Sequence, residues 1–145
     1  MSATGDLTDR IAGVASSPEP SSRAVTWAGR GMTGLAVLFL LMDAGMKLLE
    51  AAPAMETTTG LGYPAHVVFW LGVLQAVLLV LYLVPATSVL GAVLWTGYLG
   101  GAVATHVRVE SPLLTHTLFP VFIAGLLWGG LWLRDRRLRA LLPLG

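Results

Sequence analysis

The chain contains no cysteine. That absence excludes disulfides, thiol redox chemistry, thiolate metal sites and covalently attached c-type haem. Charge is also scarce. Charged residues make up 12% of the 145 positions, where an ordinary soluble domain carries about 25%. The net charge of +1 supplies no basic field for nucleic acid and no acidic one for a cationic partner. The stretch ahead of the first long apolar run has no basic segment followed by a short apolar one, so no cleaved signal peptide is expected there.

What the chain has instead is apolar surface. Hydrophobic residues account for 55% of it, gathered into four runs between Gly31 and Leu133 with short links between them. Crossing the hydrocarbon core takes roughly 20 apolar residues at about 1.5 Å rise each. The runs predict an all-α fold, an integral membrane four-helix bundle whose first partner is the lipid bilayer. The spans are expected near 30–51, 64–84, 87–107 and 112–133. Pro53 closes the first. Pro64 opens the second. Ser111 is placed to cap the fourth. Residues 1–28, with Ser16, Ser17, Pro18, Pro20, Ser21 and Ser22, read as a disordered tail with too little apolar surface to offset its ordering entropy. Residues 29–143 form the single domain. The link from Pro85 to Ser88 is too short for anything but a tight reversal, so spans two and three are antiparallel neighbours.

Basic residues favour the cytoplasmic side. Arg10, Arg23 and Arg30 precede span one, and Arg134, Arg136, Arg137 and Arg139 follow span four, whereas the loops of the opposite side hold only Arg108. Both termini are therefore expected in the cytoplasm, with the protein in the inner membrane. The stretch 134–142 reads as a short interfacial continuation of span four. Trp128 and Trp132 fit an inner aromatic belt.

This orientation converts position into depth. Asp43 lies about 12 Å and Lys47 about 6 Å below the outer end of span one. They are an i,i+4 acid-then-base pair on one face. A charge in mid-membrane normally faces the bundle interior and pairs there. Gln75 falls near the middle of span two. Tyr98 and Thr105 share a face of span three with Gly101. His106 and Arg108 are about 200° apart on that helix, so they cannot both point inward. His116 sits at the outer end of span four, where Pro120 removes a backbone bond. Asp43, Lys47, Gln75, Tyr98, Thr105, His106 and His116 are thus candidates to gather in one outer pocket, while the inner half is nearly bare. Plainer roles stay open for each: a structural ion pair, interfacial histidines, a packed tyrosine. No metal set is proposed, because the histidines lack E-x-x-H or H-x-x-x-H spacing. Gly97-x-x-x-Gly101 and Gly125-x-x-x-Gly129 read as helix-packing surfaces, within the monomer or in a homodimer.

Several segments together carry a resemblance. They are Leu81-Tyr82-Leu83-Val84-Pro85, Thr96-Gly97-Tyr98-Leu99-Gly100-Gly101, Ala104-Thr105-His106-Val107-Arg108, Thr115-His116-Thr117-Leu118-Phe119-Pro120 and Trp128-Gly129-Gly130-Leu131. With Asp43, Lys47 and the Gly62-Tyr63-Pro64 turn, they resemble the DoxX-like family of small bacterial membrane proteins. The resemblance implies a four-helix membrane bundle, usually without an assigned activity. Named relatives are linked to quinone reduction or terminal quinol oxidation and to oxidative-stress complexes. Three functions follow as expectations. The first is a redox-associated subunit binding a quinone-like or other small apolar ligand and working with a membrane or soluble redox partner. The second is a structural or assembly subunit for a soluble partner. The third is a small carrier. No catalytic residue and no cofactor beyond the quinone follows from the residues, and a family likeness by itself transfers no activity.

Overall fold

The computed structural model describes residues 20–135 and 138–139. Four helices are long and apolar enough to cross a membrane. In chain order the elements are α1 (Pro20–Leu48), a short α2 (Ala52–Gly60), α3 (Ala65–Leu83), α4 (Ser88–Arg108), a single π-type turn (Leu113–Thr117) and α5 (Phe119–Arg134). α1 packs on α3 and α5, and α4 packs on the same two, so the long helices form a ring whose diagonals do not touch. One end of the bundle holds the start of α1 and the α3–α4 turn. The other, the α2 end, holds α2 and the π-type turn.

The ring is drawn together where side chains are missing. A Cβ on Gly130 would stand 2.9 Å from the Thr33 nitrogen, and one on Gly72 would stand 2.9 Å from the Leu48 nitrogen. Backbones approach this closely only at glycine. The interior is filled by Leu40, Leu79, Tyr82, Ala92, Trp95, Ile123, Leu127 and Leu131. Tyr82 donates its hydroxyl proton to the Leu127 carbonyl at 2.8 Å, so its one polar atom is satisfied. Trp128 of α5 donates to Thr96 Oγ1 of α4 at 2.8 Å, an exposed bond between the two helices.

α1 and α4 end in the same way. After α1, Glu50 N–H reaches the Lys47 carbonyl and Ala51 N–H the Met46 carbonyl; after α4, Glu110 N–H reaches Val107 and Ser111 N–H reaches His106. These are paired Schellman closures. Both place glutamate in the left-handed region, at φ 48° and φ 54°, where glycine is the usual occupant. Glu50→Gly and Glu110→Gly are each expected to stabilise the bundle by about 1 kcal/mol, read as a shift in reversible unfolding in mixed micelles. Unchanged or lowered stability counts against strain at these ends.

Several boundaries differ from the sequence expectation. α1 begins at Pro20, so positions 20–28 of the expected tail are helical, and residues 1–19 lie outside the described ones. A serine-rich start is no bar to a helix that continues a long apolar one, and proline is accepted in a first turn. α1 stops at Leu48, ahead of Pro53, because Glu50 turns left-handed; Pro53 then falls in the first turn of α2, a helix the apolar pattern did not reveal. Pro64 caps α3 instead of opening it. Ser111 does not cap the fourth span, since its hydroxyl is held by His106. Pro120 causes no kink: it lies in the first turn of α5, and the π-type turn precedes it. The helix does not run on past Arg134. Asp135 is extended, and the next described residues, 138–139, are helical again, with Leu138 N–H on Asp135 Oδ1 at 3.4 Å and Arg139 N–H on the Asp135 carbonyl at 3.1 Å, which accords with a short helical segment after span four.

Candidate functional site

Spacing along α1 sets Asp43 and Lys47 one turn apart on a single face. Their side chains close a contact of 2.5 Å between Lys47 Nζ and Asp43 Oδ2. The second bond to that oxygen comes from another helix. Gln75 Nε2 of α3 donates to Asp43 Oδ2 at 2.6 Å, and Gln75 is 1% exposed. An ion pair is thereby tied across the α1–α3 contact. Gly72 allows this, since it brings α3 against the backbone of Leu48 one turn above Gln75.

This cluster forms the floor of a cavity of about 610 Å³ at the α2 end. Phe39 and Leu40 of α1, Leu71 and Leu74 of α3, and Phe119 and Ile123 of α5 give it apolar walls. α4 contributes Gly97, Tyr98, Gly101, Ala102, Thr105 and His106. Tyr98 is steadied by an edge contact with Trp95, ring centres 5.5 Å apart. Above, α2 and its following loop cover the space with Thr57, Thr58, Leu61 and Tyr63.

The rim is built from hydrogen bonds. Thr105 Oγ1 gives its proton to the Gly101 carbonyl at 2.9 Å, so Tyr63 Oη is the donor in the 3.0 Å contact between the two hydroxyls. Arg108 leaves the cavity and donates to the Leu61 carbonyl at 2.7 Å. The phase argument on span three required that divergence from His106. Gly62, at φ 87°, is where the loop reverses, and a side chain there would meet the Arg108 guanidinium at 3.3 Å. His106 and His116 stand side by side with ring centres 5.8 Å apart and their planes tilted by 58°. Each holds a hydroxyl on Nδ1: Ser111 at 3.0 Å and Thr115 at 2.8 Å. The wide π-type turn swings His116 to this position, and such turns gather at functional sites.

All seven candidate residues, Asp43, Lys47, Gln75, Tyr98, Thr105, His106 and His116, line this one space. His66 stands apart and exposed. Among the described residues no three histidines or carboxylates are grouped to hold a metal. Tyr63, Thr57, Thr58 and Ser111 were missed by the sequence reading. Tyr63 had a signal, the Gly62-Tyr63-Pro64 turn; the threonines sit on a helix too short and too polar to register.

The expectation of packing within the monomer is overturned at three of the four motif glycines, while Gly129 does meet Met32 of α1. Gly97 and Gly101 form no helix contact: a Cβ on either meets nothing within 4 Å, and the same holds for Gly125. The tight glycines are Gly29, Gly72, Gly91, Gly129 and Gly130. At 97 and 101 the missing side chains make room for the cavity. Glycine spacing alone does not distinguish a helix seam from a hollow, because the partner backbone decides which it is.

No curated protein and no solved structure matches the chain. A sequence model of the DoxX-like family matches residues 31–130, a stretch that runs from the middle of α1 to the glycines where α5 meets it. With that match over most of the chain, four apolar spanning helices and an all-helical ring, this multi-pass membrane protein belongs to the DoxX-like family.

Proposed function

We propose that the protein binds a quinone-like or other small apolar ligand in the cavity at its α2 end, as a redox-associated membrane subunit whose electrons come from a partner. The observation that carries this reading is the cavity's make-up. Its volume lies inside the roughly 300–1,000 Å³ range of small-molecule sites, and apolar walls converge on a few fixed polar groups, as such sites require. Tyr98, His106 and Lys47 offer donors to a ring oxygen. Asp43 offers a proton acceptor beside it. The arginine asymmetry supports an orientation with the α2 end outward in the bacterial inner membrane.

The test is binding in lipid nanodiscs. Menaquinone at about 100 times its Kd is expected to stabilise the bundle by about 2.7 kcal/mol, read as a saturable rise in Tm. The Tyr98→Phe, His106→Ala double variant should lose that shift while its ligand-free Tm stays within a few degrees. A shift that survives both substitutions shows the site to be wrongly assigned.

The second reading, a membrane subunit that holds a soluble partner, is favoured by α1. Its 29 residues span about 43 Å, and the turns ahead of Gly29, which meets the last turn of α5, carry Arg23 and Trp27 exposed. Purification in mild detergent with a stoichiometric partner, lost on deleting residues 1–27, is the expected sign.

A further inference from the structure

At the end opposite α2 the bundle holds a second cavity, of about 360 Å³. Two arginines from different helices line it, Arg30 of α1 and Arg134 of α5. A glycine brings them to one level. A Cβ on Gly29 would stand 2.8 Å from Leu133 Cβ and 3.6 Å from the Arg134 nitrogen, so the next residue on each helix is drawn toward the other. Like charges in one small space repel. An anion between them removes that cost.

Both guanidiniums are held by their faces. Arg30 lies 5.3 Å from the centre of the Trp27 ring, and Arg134 lies 5.7 Å from that of Tyr82. A guanidinium stacked in this way keeps its edge, a planar fork of N–H donors that matches the oxygens of a phosphate. Both arginines are exposed, so those donors are within reach of a guest. Ser88 also lines the space and begins α4, which sets the positive end of a 21-residue helix at the same wall. Its hydroxyl is spent on the Pro85 carbonyl at 3.2 Å.

Two further features narrow the guest. Asp135 lines the cavity beside the arginines. Two guanidiniums against one carboxylate suit a single negative charge, a phosphodiester rather than a dianionic phosphomonoester. The second feature is depth. α3 ends at Leu83 and α5 at Arg134, so the cavity lies where these spans leave the hydrocarbon for the headgroup layer. Leu83 and Leu131 give it an apolar side, and Leu83 is 51% exposed, toward the acyl region.

We propose that this cavity holds the phosphodiester of an anionic phospholipid, with Arg30 and Arg134 donating to its two unesterified oxygens and the acyl chains leaving past Leu83. The site is separate from the cavity at the α2 end and does not rest on the ligand reading given for it.

Native mass spectrometry of the full chain in a neutral detergent counts retained lipid during titration. One dioleoyl phosphatidylglycerol is expected to bind at least tenfold more tightly than dioleoyl phosphatidylcholine, whose choline cation would meet the arginines. Equal binding of the two lipids by wild type overturns the proposal, and this comparison needs no variant. Arg30→Gln with Arg134→Gln should bind phosphatidylglycerol at least tenfold more weakly, at an unchanged lipid-free Tm. Arg23→Gln is the control for diffuse charge. It removes a charge from the same face of α1 about 10 Å further along, at a residue that does not line the cavity, and should change binding less than twofold. A loss there as large as in the double variant shows attraction to the basic surface at large and overturns the site. Millimolar inorganic phosphate tests the source of the phosphate. It should leave the lipid in place; displacement of the lipid by it would mark a site for free phosphate and overturn the lipid assignment.

Discussion

Replacing Asp43 by leucine is expected to lower the unfolding free energy of the bundle by about 3–5 kcal/mol. Asp43 accepts from both Lys47 and Gln75 on one oxygen. Removing it strands an ammonium that is 12% exposed and an amide that is 1% exposed. An uncompensated charge inside a membrane bundle is costly, and Glu50, three residues on, is exposed and held left-handed beyond the helix end. The double variant Asp43→Leu, Lys47→Met is expected to recover most of the loss, because a matched apolar replacement of a buried pair is close to neutral. Reversible unfolding in bicelles measures both. The contrast separates two roles for the pair. If it serves only to staple α1 to α3, the double variant should bind menaquinone as wild type does. If it forms the polar floor of a ligand site, stability returns and binding does not. A single Asp43→Leu variant within 1 kcal/mol of wild type would falsify the claim that the pair is mutually dependent.

The second large effect is expected at Gly91. A Cβ there would lie 2.5 Å from Tyr82 Cα and 2.8 Å from the Leu81 carbonyl carbon. These are backbone atoms of a tight hairpin, further held by the Thr87 hydroxyl on the Leu81 carbonyl at 2.8 Å, so nothing there yields by changing rotamer. Gly91→Ala should cost about 3 kcal/mol through forced separation of α3 and α4. Gly101→Ala is the control. It adds the same methyl group to the same helix, but into open space, and should be neutral or stabilising by up to about 1 kcal/mol through helix propensity. Equal effects at the two positions would show that propensity rather than close approach governs this hairpin.

The two glycines illustrate how much of the molecule was legible in the chain. Both belong to α4, and both sit in a glycine-rich stretch of an apolar helix. Spacing assigned Gly97 and Gly101 to a packing seam and passed lightly over Gly91, whereas the packing is at Gly91 and the hollow is at 97 and 101. Whether a bare helix face meets a neighbour depends on where that neighbour's backbone lies, and no local pattern records this. The same holds for Ser111. Its place before Pro112 suggested a helix cap, but the left-handed Glu110 folds the chain back and delivers the serine hydroxyl to His106.

By itself the sequence determined the solvent, the number of spans, their antiparallel order and the place of each polar residue along its helix, because apolar run length and rise per residue are local quantities. It also determined that Asp43 meets Lys47, since one helical turn sets that contact. Only the tertiary structure decided that Gln75 turns its amide to the same carboxylate, that Tyr63 and α2 roof the cavity, and that Gly97 and Gly101 line it instead of packing on a neighbour. Those contacts depend on how far each helix is rotated and tilted against the next. That rotation and tilt come from the summed fit of glycines and side chains across the ring, which no single stretch of chain encodes.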